Sequence, residues 1–330
     1  MSLPQLSIAA LGGTVSMQAA RPDQGVVPSV NGQALLERVP LLATLARTHV
    51  ETLCLQPSAS LDFDFLLGVL DWARHQVEQG ASGVVVTQGT DTLEETAFFF
   101  ELLWDREEPL VLTGAMRSAA EISADGPANL LHAGLVALSS TSRGRGVQVV
   151  LNGQVHAASR VRKSDALALE AFSSPVFGPN GLIIENAVRY LHAPAPRKIL
   201  PLPVRSGQRI ALLEATLSAD TLMLEKLPEL GYDGLVIAGF GAGHVSEAWA
   251  KAITSLALKI PVVIGTRTGA GSTASHSYGF VGSEIDLIQR GAQMAGFLCP
   301  RKARILLWLL IGCQRSSELP EYLRHFGYAL

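Results

Sequence analysis

Cysteine is scarce in this chain. The three residues, Cys54, Cys299 and Cys313, are odd in number, far apart and in apolar company. That excludes a disulfide framework and leaves buried, reduced thiols as the expectation. The eight histidines form no HxxH pair and the cysteines no CxxC pair, so no metal site is expected. Charged residues make up 17% and the net charge is -3. A chain without a basic surplus is not expected to bind nucleic acid non-specifically. No apolar run approaches the length of a membrane span, so no membrane association is expected either. The opening MSLPQLSIAALGGT lacks the basic residues of a signal peptide, and its apolar run leads straight into a Gly-Gly-Thr turn. It reads as a first strand, and the cytoplasm is the expected compartment. Lysine is also rare: six of 26 cationic residues, so Lys163 is one of few amines available for chemistry.

What is present is core. Hydrophobic residues make up 48% of 330 positions, enough for one large domain or two ordinary ones. The run Gly83 to Ala97, GVVVTQGTDTLEETA, organises the rest. Val84–Val86 has the length and β-branching of a buried parallel strand. From Asp91 on, the spacing predicts a helix start, with Asp91 and Glu94, or Thr92 and Glu95, at capping-box distance. Gly89 between them predicts a sharp turn that leaves Thr90 and Asp91 at the strand's carboxyl end, where open α/β sheets bind ligands.

Strands and helices alternate along the chain. Strands are expected at 6–10, 51–55, 84–86, 109–113 and 147–151, and helices near 33–39, from Asp62 or Asp64 to about 79, from Asp91, and after a possible cap at Asp125. This predicts a mostly parallel sheet flanked by helices. Residues 17–29 read as a long loop and plausible lid, and 152–191 carry a looser pattern. The proline-rich stretch 192–209 reads as a linker. The expected organisation is a larger N-terminal α/β domain over 1–191, the linker at 192–209, and a smaller α/β domain over 210–330. Strands near 210–214, 234–240 and 261–266 and helices near 221–227, 246–256, 303–313 and 319–326 would build the smaller one.

Three strand-end turns share one character: LGGTVSM (Leu11–Met17), GTDTLEETA (from Gly89) and VLTGAMR (Val111–Arg117). With RVRKSD (Arg160–Asp165), YGF (Tyr278–Phe280) and PRKARILL (Pro300–Leu307) they resemble the L-asparaginase/glutaminase family of threonine amidohydrolases over nearly the whole chain. The resemblance implies hydrolysis of L-asparagine to L-aspartate and ammonia through an acyl-enzyme, without a cofactor. It implies Thr14 as nucleophile and Thr90, Asp91 and Lys163 as a second catalytic group. Ser58 would take the substrate's α-carboxylate and Asp91 its α-ammonium, with Ala59, Gly89, Thr90 and Ala115 completing the pocket. It further implies a homodimer or homotetramer with sites at the dimer interface.

The chemistry agrees with those residue types. An amide is a poor electrophile, so it needs a nucleophile, a proton acceptor and oxyanion stabilisation. Two threonine hydroxyls, a lysine and the free N–H groups of the Gly13–Thr14 and Gly89–Thr90 turns supply the parts. There are departures from the family pattern. Ala59 stands where members with a glutamine use it to hold substrate, and no tyrosine lies in 17–29. RTGAGSTASHSYGF (267–280) has no carboxylate, and Ala242 replaces an asparagine. His276 of a partner subunit could replace the missing groups, or simply decorate a surface loop. Three other readings stay open: a glutaminase-leaning or related amidase, the ammonia-donating subunit of a tRNA-dependent amidotransferase, and a regulatory amino-acid-binding protein that has lost catalysis.

Overall fold

The structure is a computed structural model that describes residues 3–18, 25 and 27–328. The chain divides into two compact units, Met1–Ile199 and Leu200–Leu330.

The first unit is built on an eight-stranded sheet. In spatial order its strands are Ala187–Tyr190, Gly181–Ile184, Gln154–Ala157, Val147–Leu151, Leu110–Thr113, Ala81–Thr87, Gln5–Ala10 and Arg47–Thr52. The last five are parallel to one another. Val84, Val85 and Val86 are fully buried, as a strand covered on both faces requires. Side chains alternate between the faces. Leu6 and Ile8 join a core with Ala133, Val136 and Ala137 of the helix Gly126–Leu138. Ser7, on the other face, donates to Gln76 of the helix Phe63–Glu78. Gly83 lets the first of these helices lie close, since a Cβ there would stand 2.2 Å from the Ala137 carbonyl oxygen.

The sheet positions a site by its order. After Gln5–Ala10 the chain adds Arg47–Thr52 on one side and then crosses to add Ala81–Thr87 on the other. The reversal leaves a crevice at the carboxyl ends of these strands, the place where doubly wound sheets bind ligands.

One strand is shifted and one helix is added relative to the sequence reading. The strand expected at 51–55 is Arg47–Thr52, and its exposed, half-polar character fits an edge. A further helix, Pro40–Leu45, follows Gly32–Glu37. The looser region resolves into an antiparallel extension. Asn152 (φ 49) and Gly153 (φ 72) turn one hairpin, and Glu185 (φ 50) and Asn186 (φ 58) another. Two consecutive positive-φ residues mark the tight hairpin turn, and the Asn-Gly dipeptide was its signal. The proline-rich stretch is docked rather than free. His192 O accepts from Arg145 and Arg197 pairs with Glu101 in the first unit. Val204 N donates to Gly312 O in the second.

The second unit carries four parallel strands in the order Ile210–Glu214, Gly234–Gly239, Val262–Thr266 and Gln293–Met294. One face packs against Trp249, Ala250 and Ile253 of the helix Glu247–Ala257. The helix Pro300–Gly312 packs against the strands as well, starting with its proline in the first turn. Among the described residues no helix is long and apolar enough to cross a membrane.

Candidate active site

Three turns at the strand ends meet in the crevice of the first unit. Gly12 (φ 95) and Gly13 (φ 80) follow the first strand in a left-handed conformation that side chains resist. A Cβ on Gly13 would stand 2.1 Å from the Gly89 nitrogen, so the first two turns lie backbone against backbone. Thr14 opens the 3-10 turn Thr14–Ser16 and is half-buried. Gly89 corrects the sequence reading. Its φ of -64 and ψ of 143 are ordinary, so no sharp bend depends on it. Glycine is needed there for space, because a Cβ would stand 2.8 Å from Ser58 Oγ.

The expected capping box is not formed. Thr90–Thr92 make a 3-10 turn, and the helix Leu93–Glu101 starts without a side-chain cap. The polar side chains of this segment reach outward instead. Lys163 Nζ donates to Thr90 Oγ1 at 3.0 Å and to Asp91 Oδ1 at 2.7 Å. Lys163 sits in a two-residue strand, Arg162–Lys163, paired with Phe172–Ser173. Thr90 is buried, while the Asp91 side chain is 72% exposed and open to an incoming ammonium group. That exposure makes the Lys163–Asp91 pair a feature of geometry rather than of stability.

Ser58 is buried in the turn Ser58–Ser60. Its Oγ accepts from Thr92 N at 3.4 Å and its carbonyl accepts from Thr92 Oγ1 at 3.0 Å. Ala59 is exposed beside it and presents only a methyl group. Ala115 is buried in the core that also holds Val15, so its side chain is occupied by packing. Asp125 does not cap the following helix with its side chain. It ties down the third turn, accepting from Met116 N and Arg117 N at 2.9 Å each and from Asn129 Nδ2 at 3.0 Å. The structure thus brings Ser58, Gly89, Thr90, Asp91 and Lys163 together by direct contact and sets Gly13–Thr14 against them. Sequence reasoning missed Thr92, Glu94, Asp125 and Asn129 as members of this framework. Their only local signal was a helix-start pattern, which explained them too cheaply.

The lid read into residues 17–29 falls mostly on 19–24 and 26, which lie outside the described residues. The ends of that segment are joined, with Met17 opposite Pro28 and Gln18 opposite Val27. Among the described residues no group of three or more His, Cys, Asp or Glu side chains converges on a point that could hold a metal. All three cysteines are free, but only Cys299 is fully buried; Cys54 and Cys313 are half-buried.

In the second unit, YGF is served by a carboxylate that follows it in sequence. Glu284 is buried and accepts from Ser277 N and Tyr278 N at 2.6 Å each and pairs with His244 Nε2 at 3.2 Å. Burial opposes its charge, yet these main-chain N–H groups and His244 outweigh it and hold the carboxyl below the ordinary glutamate range. His276 is exposed, with Nδ1 2.9 Å from Ser275 Oγ.

Comparison with known proteins agrees with this geometry. Residues 5–196 match the family model described as asparaginase, N-terminal, and residues 209–321 that of the glutaminase/asparaginase C-terminal domain. A probable L-asparaginase of Deinococcus radiodurans is 37% identical, with 96% of each chain covered. A probable periplasmic L-asparaginase of Haemophilus influenzae is 33% identical over 98% of this chain and 93% of its own. The crystal structure of a probable cytoplasmic L-asparaginase from Campylobacter jejuni superposes with a TM-score of 0.88 at 29% identity, covering 98% of this chain and 99% of that one. The strand order, the three converging turns and these matches along both units have one conclusion: the chain belongs to the asparaginase/glutaminase family.

Proposed function

We propose that this protein hydrolyses the side-chain amide of L-asparagine to L-aspartate and ammonia. The observation that carries the site assignment is the placement of Lys163 Nζ between Thr90 Oγ1 and Asp91 Oδ1, on the turn whose Gly89 lies against Gly13. Thr14 Oγ attacks the amide carbon and passes its proton toward the Thr90–Lys163 pair. Main-chain N–H groups of the two glycine–threonine turns face the oxyanion. The carbon–nitrogen bond then breaks, the nitrogen takes up the proton and leaves as ammonia, and an acyl-threonine remains. Water attacks that ester, releases aspartate and restores the hydroxyl. Ser58 receives the α-carboxylate of the substrate and Asp91 its α-ammonium, with Ala59, Gly89 and the main chain of Ala115 around them.

A glutaminase-leaning activity is the second reading, favoured by the exposed methyl of Ala59 on the side that grips the amino acid. Ammonia release from L-asparagine, L-glutamine and their D-isomers, beside calorimetric binding of aspartate, decides between them. Binding without turnover would leave a regulatory protein instead.

Our reading of the assembly is a cytoplasmic homodimer or homotetramer in which the large domain, 1–191, carries the threonines. The linker 192–209 leads to the smaller domain, 210–330, whose segment Gly269–Ser277 completes the site of a neighbouring subunit. Mixing Thr14→Ala with His276→Ala subunits tests whether sites are shared. Partial recovery of activity in the mixture supports it; a His276→Ala enzyme equal to the parent removes His276 from the scheme.

A further inference from the structure

We infer that Thr92 and Glu94 are positioning residues with divided duties: Thr92 sets Ser58 and so governs substrate binding, and Glu94 sets Lys163 and so governs turnover. The inference rests on the function proposed above.

The helix Leu93–Glu101 starts after Thr92, whose side chain makes no cap bond, and carries Glu94 in its first turn. Thr92 uses its hydroxyl to donate to the Ser58 carbonyl at 3.0 Å, and its N–H lies 3.4 Å from Ser58 Oγ. Buried Gln88 backs it, with Nε2 donating to Gly89 O at 3.3 Å and Thr92 Oγ1 at 3.4 Å. The Ser58–Ser60 turn lies between a loop and a helix, with no sheet partner among the described residues. The Thr92 hydroxyl therefore anchors the Ser58 main chain, beside the turn's own bonds from Ser60 N to Pro57 O and from Leu61 N to Ser58 O, and with it the position of the Ser58 side chain.

Glu94 acts on the other side. The residue is 2% exposed, and its Oε2 accepts from the main-chain N–H of Lys163 at 2.5 Å. A carboxylate is kept this deep only if it is well bonded. The Lys163 strand needs such an anchor, because two residues of pairing with Phe172–Ser173 are weak by themselves. Glu94 holds the lysine's backbone, while Thr90 and Asp91, one helical turn earlier, hold its ammonium. A side chain fixed at both ends from one rigid turn has little freedom left. Displacing a catalytic group by about 1 Å can cost on the order of 10²-fold in rate, so the anchor bears on turnover rather than on affinity.

The two residues stand two positions apart, and a general loosening of the turn would move both kinetic constants together. The test is the split between them. Thr92→Val should raise KM for L-asparagine about 10-fold, the worth of a lost hydrogen bond, with kcat within about 3-fold of the parent. Glu94→Ala should lower kcat by ~10²-fold with KM within about 3-fold. Thr92→Ser and Glu94→Gln keep the needed hydroxyl and oxygen and should recover most of each loss. Glu94→Gln also keeps the question open to measurement if Glu94→Ala fails to fold. Adding Glu94→Ala to Lys163→Met should cost nothing further. Parallel changes in KM and kcat, parent-like values, or failure of the conservative variants to rescue would overturn the inference. An active Lys163→Met enzyme would instead overturn the underlying mechanism, so the two failures are distinguishable.

Discussion

Gly13 and Gly89 stand so close that a Cβ on the first would lie 2.1 Å from the nitrogen of the second. They end two neighbouring parallel strands on either side of the point where the strand order reverses. Each is followed directly by a threonine, so the backbone contact brings two hydroxyl-bearing turns into one crevice. The close approach is a reason for glycine at Gly13 independent of φ, while Gly89 must be glycine because a Cβ there would stand 2.8 Å from Ser58 Oγ.

If Thr14 is the nucleophile, Thr14→Ala should lower turnover by ~10⁴ or more while the circular dichroism spectrum and melting temperature stay near those of the parent. Lys163→Met should lower it by ~10²–10⁴, the range of general acid–base help. A Thr14→Ala enzyme that keeps most of its activity would end the assignment.

Ala59 is exposed next to buried Ser58 and offers the substrate no hydrogen bond. Ala59→Gln should lower KM for L-asparagine, by roughly the 0.5–1.5 kcal/mol that one added hydrogen bond contributes. Steady-state kinetics decide it: no change, or a rise, would mean that this side of the pocket is built differently.

Val176 has a φ of 74 and is 69% exposed. It occupies the third position of a turn closed by Phe177 N donating to Ser174 O at 3.2 Å, with Pro175 before it. This is a type II turn with a β-branched residue where glycine belongs. The left-handed conformation costs roughly 1–2 kcal/mol, part of which glycine returns through its freer unfolded chain. Val176→Gly should therefore raise the thermal midpoint by roughly 1–4 °C. A midpoint that falls would show the strain to be compensated elsewhere.

Glu284 gives the stability a pH dependence of definite sign. Its folded carboxyl titrates below the ordinary range, so its contribution is complete above the unfolded value and is lost as pH falls through the folded one. Glu284→Gln should cost about 1–3 kcal/mol near pH 7. The difference in thermal midpoint between variant and parent should shrink as pH drops below about 4.5, where the unfolded carboxyl protonates. A difference independent of pH would assign the effect to packing rather than to charge.

Local sequence determined the elements and their chemistry. Val84–Val86 has the length and β-branching of a strand covered on both faces, and Gly12-Gly13-Thr14 has the composition of a turn after one, because apolar runs and glycine act over a few residues. The resemblance carried by Thr14, Thr90, Asp91 and Lys163 was legible for the same reason. At Asn152–Gly153 the Asn-Gly dipeptide signals a turn, but the looser pattern over 152–191 does not show which strands it joins. What only the tertiary structure decided is where polar side chains at a helix start find their partners. Thr92, Glu94 and Asp125 satisfy every local rule for caps, yet they bond Ser58, Lys163 and the Met116–Arg117 turn. A cap and a remote hydrogen bond are worth nearly the same free energy. Nothing in the local sequence separates them, and the choice falls to the strand order, which sets whose backbone arrives within 3 Å.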